Sequence, residues 1–181
     1  SLFYGVNGTR TFNTALLDRL DYLIYQFKQN GIYVNMNLNV SRTFESIDGV
    51  IAADSLIDYG KGITLFNRHM IDLEKEYAQQ LLAHINPYTG IPLAQDPVLA
   101  MVEIVNENSL FRRWYGNALK SISEGGSTPT YYVRELDSLW NSFLLEKYDS
   151  SENLATVWNN DRLIGDTVFT EDFENGLNTQ I

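Results

Sequence analysis

Two stretches of this chain change their apolar period in the same way, and that repeat limits the possible folds more than any other feature. Residues 14 to 29, TALLDRLDYLIYQFKQ, carry Leu16, Leu20, Leu23, Ile24 and Phe27 at three- and four-residue steps, the stripe of a helix packed on one face. Asn13 stands where it can cap the start of that helix, and Gly31 where a left-handed residue ends it. Directly afterwards IYVNMNLNV (32–40) alternates strictly. Val34, Met36, Leu38 and Val40 fall on one side of the strand this predicts, and Tyr33, Asn35, Asn37 and Asn39 on the other.

The same change then recurs. FNRHMIDLEKEYAQQLLAHI (66–85) aligns Phe66, Met70, Leu73, Tyr77 and Leu81 on one helical face, and NPYTG breaks it with Pro87 and Gly90. VLAMVEIVNE (98–107) is a mostly apolar run, which predicts a strand buried on both faces as in a parallel sheet. Helix, strand, helix, strand, with connections long enough for right-handed crossovers, predicts a repeated α/β architecture. Farther on, EGGSTPT (124–130) is a loop by composition, and 131–148 is an amphipathic helix with Val133, Leu136, Trp140, Phe143 and Leu144 inward. SENLATVW adds a short helix capped by Ser151. The helical period is lost in the acidic last segment, so the expected organisation is one region over 1–165 and a tail over 166–181.

Composition narrows the function. With 181 residues the chain can bury the core of one domain. Thirteen basic against twenty-three acidic residues give a net charge of −10, which repels nucleic-acid phosphates and anionic membranes. The absence of cysteine excludes disulfides and thiolate chemistry, and no apolar run reaches the ~18 residues of a membrane span. The opening SLFYG has neither an initiator Met nor a basic-then-apolar leader, so a mature product or a piece of something longer is expected.

Chemistry concentrates in LAMVEIVNENSLF (99–111), where carboxylates stand at the end of an apolar run. Burying a charge is costly unless it is paired or used. By parity Met101, Glu103, Val105 and Glu107 share one side of the strand, with Glu107 last and therefore at the rim. Reacting groups of β/α barrels sit at the carboxyl ends of strands, so Glu107 is a candidate general acid raised in pKa by partial desolvation. Asn106 beside it carries an amide able to bind a ligand hydroxyl. Taken alone, such a dipeptide is more often a strand closing into a solvated loop.

Its surroundings point further. VEIVNENSLF resembles the fourth strand of the clan A glycoside hydrolases, the (β/α)8 enzymes related to cellulases and mannanases, glycoside hydrolase family 5 among them. LDRLDYLIYQFKQNGIYVNMNLNVSR is similar to that family's second helix and third strand, and KEYAQQLLAHINPYTGIPLAQDPVLAMVEIVNEN to the approach to its fourth. LWNSFLLEKYDSSENLATVW is similar to a segment of large bacterial members, so the resemblance covers roughly residues 14 to 158. It implies that Glu107 is the proton donor to the leaving oxygen, that Asn106 binds the neighbouring sugar hydroxyl and that Glu103 holds the lumen network in place by hydrogen bonding. Asn37 and Asn39 would line the sugar cleft, although many relatives carry His near position 39. Arg42 would meet lumen carboxylates or a substrate oxygen, or else form a surface salt bridge.

A retaining glycosidase needs two carboxylates about 5 to 5.5 Å apart. The family's nucleophile lies at the end of the seventh strand, beyond the two strands legible here, and Glu45, Asp48 and Glu124 are loop residues with no evident claim to the role. A complete barrel takes ~250 residues. The expectation is therefore part of a (β/α)8 barrel with parallel strands, a fragment of a larger secreted bacterial enzyme acting on β-linked polysaccharide or oligosaccharide. Its protein partner is the remainder of the barrel or another copy of the chain, and no cofactor, metal, nucleic acid or membrane is called for. The alternative is a non-catalytic carbohydrate-binding or self-assembling piece.

Other signals weigh less. FTEDFENGL (169–177) resembles the opening of a following β-sandwich module, or is simply an acidic terminus. His69 and His84 share a helix without convergent carboxylates, Ser109 lacks a nucleophile-elbow setting, and Gly60 and Gly62 suit a turn before a helix better than a phosphate loop. Asn7 and Asn39 lie in glycosylation sequons, the second expected to be buried.

Overall fold

The computed structural model describes residues 8–159, and the residues assigned above to the tail lie outside that range. Two compact units divide the chain, residues 1–135 and 136–181. In the first, helix α1 (Thr14–Gln29) begins as expected, the Asn13 side chain accepting from the Leu16 amide at 3.1 Å, and Gly31 takes φ +68° past its end. Helix α2 (Arg68–Ala83) is capped in the same way by Asn67, whose Oδ1 accepts from the Met70 amide at 2.9 Å. Met70, Leu73, Tyr77 and Leu81 are its buried stripe, while Phe66 packs from just outside the helix.

The strands are parallel, as the order of elements implies, but shorter than their apolar patterns. Strand β1 (Val34–Asn37) pairs with β2 (Leu99–Glu103) in a two-stranded sheet. Pairing sets these limits, because a residue counts as strand only where a neighbour supplies its ladder. Val34 faces Leu99 and Asn35 faces Met101, so Ala100 is an extra residue, a bulge in β2. Leu99 therefore joins Val34 on the side packed against α1 and α2, whereas Met101 and Glu103 join Asn35 and Asn37 on the other.

That second side corrects the expectation of a strand buried on both faces. Met101 is 60% exposed and Ile104, just past the strand, 73%. Among the described residues, helices cover one face of the sheet: Ile24, Tyr77, Leu81, Leu93 and Val98 form the core there, with Val34, Met36, Leu38 and Leu99 packed on it. A second core joins Phe44, Val50, Ala53, Ile63, Met70, Leu73 and Tyr132 beneath the long β1–α2 connection.

After β2 come α3 (Leu110–Tyr115) and α4 (Thr130–Tyr148), the latter starting one residue before the expected helix. Its buried residue is Tyr132, whose hydroxyl donates to the Ile51 carbonyl at 2.7 Å, not the expected Trp140 and Phe143, whose rings stack on each other at 5.5 Å and are about half exposed. In the second unit, α5 (Ser151–Asn159) is capped by Ser150 and not by Ser151, the Ser150 hydroxyl accepting from the Asn153 amide at 3.1 Å. No helix among the described residues is long and apolar enough to cross a membrane.

Candidate functional site

Parallel pairing brings the carboxyl ends of β1 and β2 to the same end of the sheet, and most of the sequence-selected residues collect there. Asn37 and Glu103 form the last rung of the ladder, and the Leu38 amide donates to the Glu103 carbonyl at 2.9 Å. Beyond it the Asn106 amide donates to the Asn39 carbonyl at 3.0 Å. Asn37, Asn39, Glu103 and Asn106 are thus neighbours through backbone bonds made after the side-chain pattern has ended. Asn39 is buried, which also seals its sequon. The Asn37 Oδ1 is buried without a hydrogen-bond partner among the described residues, on the side of the sheet that carries Glu103.

Glu107 reaches this end differently from the parity argument. Strand β2 stops at Glu103, so Val105 and Glu107 lie in the irregular segment that follows and the alternation no longer decides their side. Glu107 is exposed, with a left-handed backbone at φ +49°. Glycine is the residue that adopts this region without strain, and other residues held there gather at functional sites. The next side chain fixes this segment: the Asn108 Oδ1 accepts from the Gly62 amide at 2.7 Å and its Nδ2 donates to the Thr64 hydroxyl at 2.9 Å. Arg113 adds an ion pair with Asp58. The loops following the two strands are thereby joined.

Arg42 is a correction. The residue is 4% exposed, and its guanidinium donates to the Leu73 carbonyl at 2.7 Å and to the carbonyl and hydroxyl of Thr9 at 3.1 and 3.2 Å, with its charge 4.9 Å over the Phe44 ring. An interior site of this kind serves neither a substrate oxygen nor a surface salt bridge. Burial lowers its pKa, against the attraction of Glu74 and Asp48. Glu74, one residue past Leu73 on α2, has a buried Oε1 without a partner among the described residues, and burial pushes its carboxyl up to about 7 although Arg42 pulls the other way. Sequence reasoning missed it, because a Glu between helical apolar positions reads as a solvated side chain.

The remaining candidates are structural. Asp48 is buried and accepts from the Thr9 amide and hydroxyl at 2.8 and 2.7 Å; Ser109 caps α3; Glu124 accepts from the Ser121 hydroxyl at 2.8 Å. Glu45 is exposed. Gly60 and Gly62 take φ +67° and +90° in the turns leading to α2. His69 Nε2 meets the Asp48 carbonyl at 2.7 Å. His84 Nε2 stands 2.8 Å from the buried Asp21 carboxylate, a pairing the sequence did not reveal; burial raises the Asp21 pKa, and the His84 contact opposes that rise. No group of three or more His, Cys, Asp or Glu side chains able to hold a metal occurs among the described residues.

Fold and strand ends define an α/β arrangement with its polar residues at the carboxyl end of a two-stranded parallel sheet. No protein-family model matches the chain, and neither a curated protein nor a solved structure matches it significantly.

Proposed function

We propose that this chain is part of a secreted (β/α)8 glycoside hydrolase acting on β-linked polysaccharide by a retaining mechanism. Glu107 gives a proton to the leaving oxygen, Asn106 binds the adjoining sugar hydroxyl, and the second carboxylate comes from outside the chain. The observation that carries this reading is the hydrogen bond from the Asn106 amide to the Asn39 carbonyl, at the carboxyl end of two parallel strands, where β/α enzymes keep their chemistry. The left-handed Glu107 and the buried Asn37 acceptor add support. The test is Glu107→Gln in the longer protein proposed to contain this chain. Hydrolysis of β-linked glycan should fall by about 10² to 10⁴; activity within a few-fold of the parent would refute the assignment.

One observation favours a second reading, a non-catalytic, self-assembling or carbohydrate-binding piece. Met101 and Ile104 leave an apolar surface at a sheet with two unpaired edges among the described residues. Sedimentation separates the readings: assembly of the chain with itself favours the second, and a lone monomer counts against it.

A further inference from the structure

The connection between β1 and α2 contains two consecutive non-glycine residues in the left-handed region, Asp58 at φ +50° and Tyr59 at +60°, followed by Gly60 at +67°. Each of the first two carries a β-carbon in a region that disfavours one. Fixed contacts on both sides hold them there. A β-carbon on Gly60 would meet the Met70 Cε at 2.7 Å, so the backbone lies flush on the second core. The Asp58 carboxylate pairs with the Arg113 guanidinium, whose stem lies over Gly62. Tyr59, at 44% exposure, stands at a cavity of about 320 Å³ lined by Thr43, Phe44, Ala53, Leu56 and Asp58. Strain retained around a concave surface is a pointer to ligand binding.

We propose that this cavity is a subsite for one pyranose ring of a β-linked glycan. Its walls select against other ligands. An anion meets a chain of net charge −10 and finds the Arg113 charge already matched by Asp58. A cation finds the Asp58 charge already matched by Arg113. A wholly apolar ligand strips water from the Asp58 carboxylate and the Thr43 and Tyr59 hydroxyls without replacing its hydrogen bonds. A neutral sugar offers both parts: C–H faces for the Tyr59 ring and the Phe44–Leu56 floor, and hydroxyls that donate to Asp58. Asn108 and Arg113 tie this loop to the one bearing Asn106 and Glu107. The choice of a β-linked glycan rests on the glycosidase reading; the cavity and its chemistry do not.

Calorimetric titration of the chain with cellohexaose and with mannohexaose tests the proposal. Saturable binding of at least one is expected. Tyr59→Phe keeps the ring and should bind within about threefold of the parent chain, whereas Tyr59→Gly should weaken binding about tenfold, the scale of one lost aromatic contact. Glycine and asparagine suit the left-handed backbone, so Tyr59→Gly and Tyr59→Asn remove the ring without a folding penalty, and a thermal melt of each verifies this. Unchanged affinity in both folded variants, or no saturable binding of either hexasaccharide, overturns the subsite. The two proposals fail separately: a Glu107→Gln enzyme that stays active refutes the acid/base role and leaves Tyr59-dependent binding standing, and the reverse result does the opposite.

Discussion

The Asn106 amide donates to the Asn39 carbonyl at 3.0 Å, just past the last rung of the β1–β2 ladder. This bond belongs to neither strand, yet it continues their parallel alignment into the loops. The arrangement depends on Asn108 as well, since its side chain spans to Gly62 and Thr64.

Asn108→Ala leaves the Gly62 amide and the half of the Thr64 hydroxyl contact that Asn108 supplied unmatched. The expected loss is about 1 to 2 kcal/mol. Denaturant titration measures it, and hydrogen exchange at the Gly62 amide should accelerate more than at the α1 amides, showing that the loss is local.

Arg42→Leu should cost about 3 kcal/mol or more, because the Leu73 and Thr9 carbonyls lose buried charge-assisted donors. Arg42→Lys should recover only part of this, a lysine lacking the planar fork that reaches both carbonyls. Thermal melts of the two variants decide the point. A Lys variant as stable as the parent would contradict it.

Glu74 makes stability depend on pH. Its folded carboxyl titrates at about 7, above the ~4.3 of an unfolded Glu. Between these values the folded state binds the proton more tightly, so this group's contribution to stability falls as pH rises from about 4 to about 7 and then levels. Glu74→Gln keeps the shape and removes the titration. It should stabilise the chain by on the order of 2 kcal/mol at pH 8 and change little at pH 4, seen as a flatter plot of unfolding midpoint against pH. Equal effects at both pH values would count against a buried, titrating Glu74.

Gly60→Ala should destabilise by about 1 to 3 kcal/mol, combining a left-handed penalty with intrusion on the fully buried Met70. The double variant with Met70→Ala, measured in a mutant cycle, should recover the intrusion part alone.

What the sequence disclosed follows the range of the forces involved. Helix α1 was legible to the residue and α2 to within two residues at each end, since their stripes and the Asn13 cap are local. Strand limits were not, because β1 and β2 end where the partner's ladder ends. Exposure of Met101 was also hidden, as it depends on which layers surround the sheet. At the strand ends, Asn37, Asn39, Glu103 and Asn106 came together because parallel order follows from element order. Arg42 was misread because Thr9 and Leu73, distant in sequence, supply its acceptors. Asp58 and Tyr59 left only the flanking glycines of DYGKG as a trace, since strain is a property of backbone angles.

The unpaired Ala100 sets which face of the sheet each later residue of β2 takes. Were Ala100 instead paired in the ladder, Asn35 would face Ala100, Met36 would face Met101 and Asn37 would face Val102, turning Glu103 toward the aliphatic layer packed against α1 and α2. A single inserted alanine thus acts as the shim that keeps an acid on the wet side of the sheet.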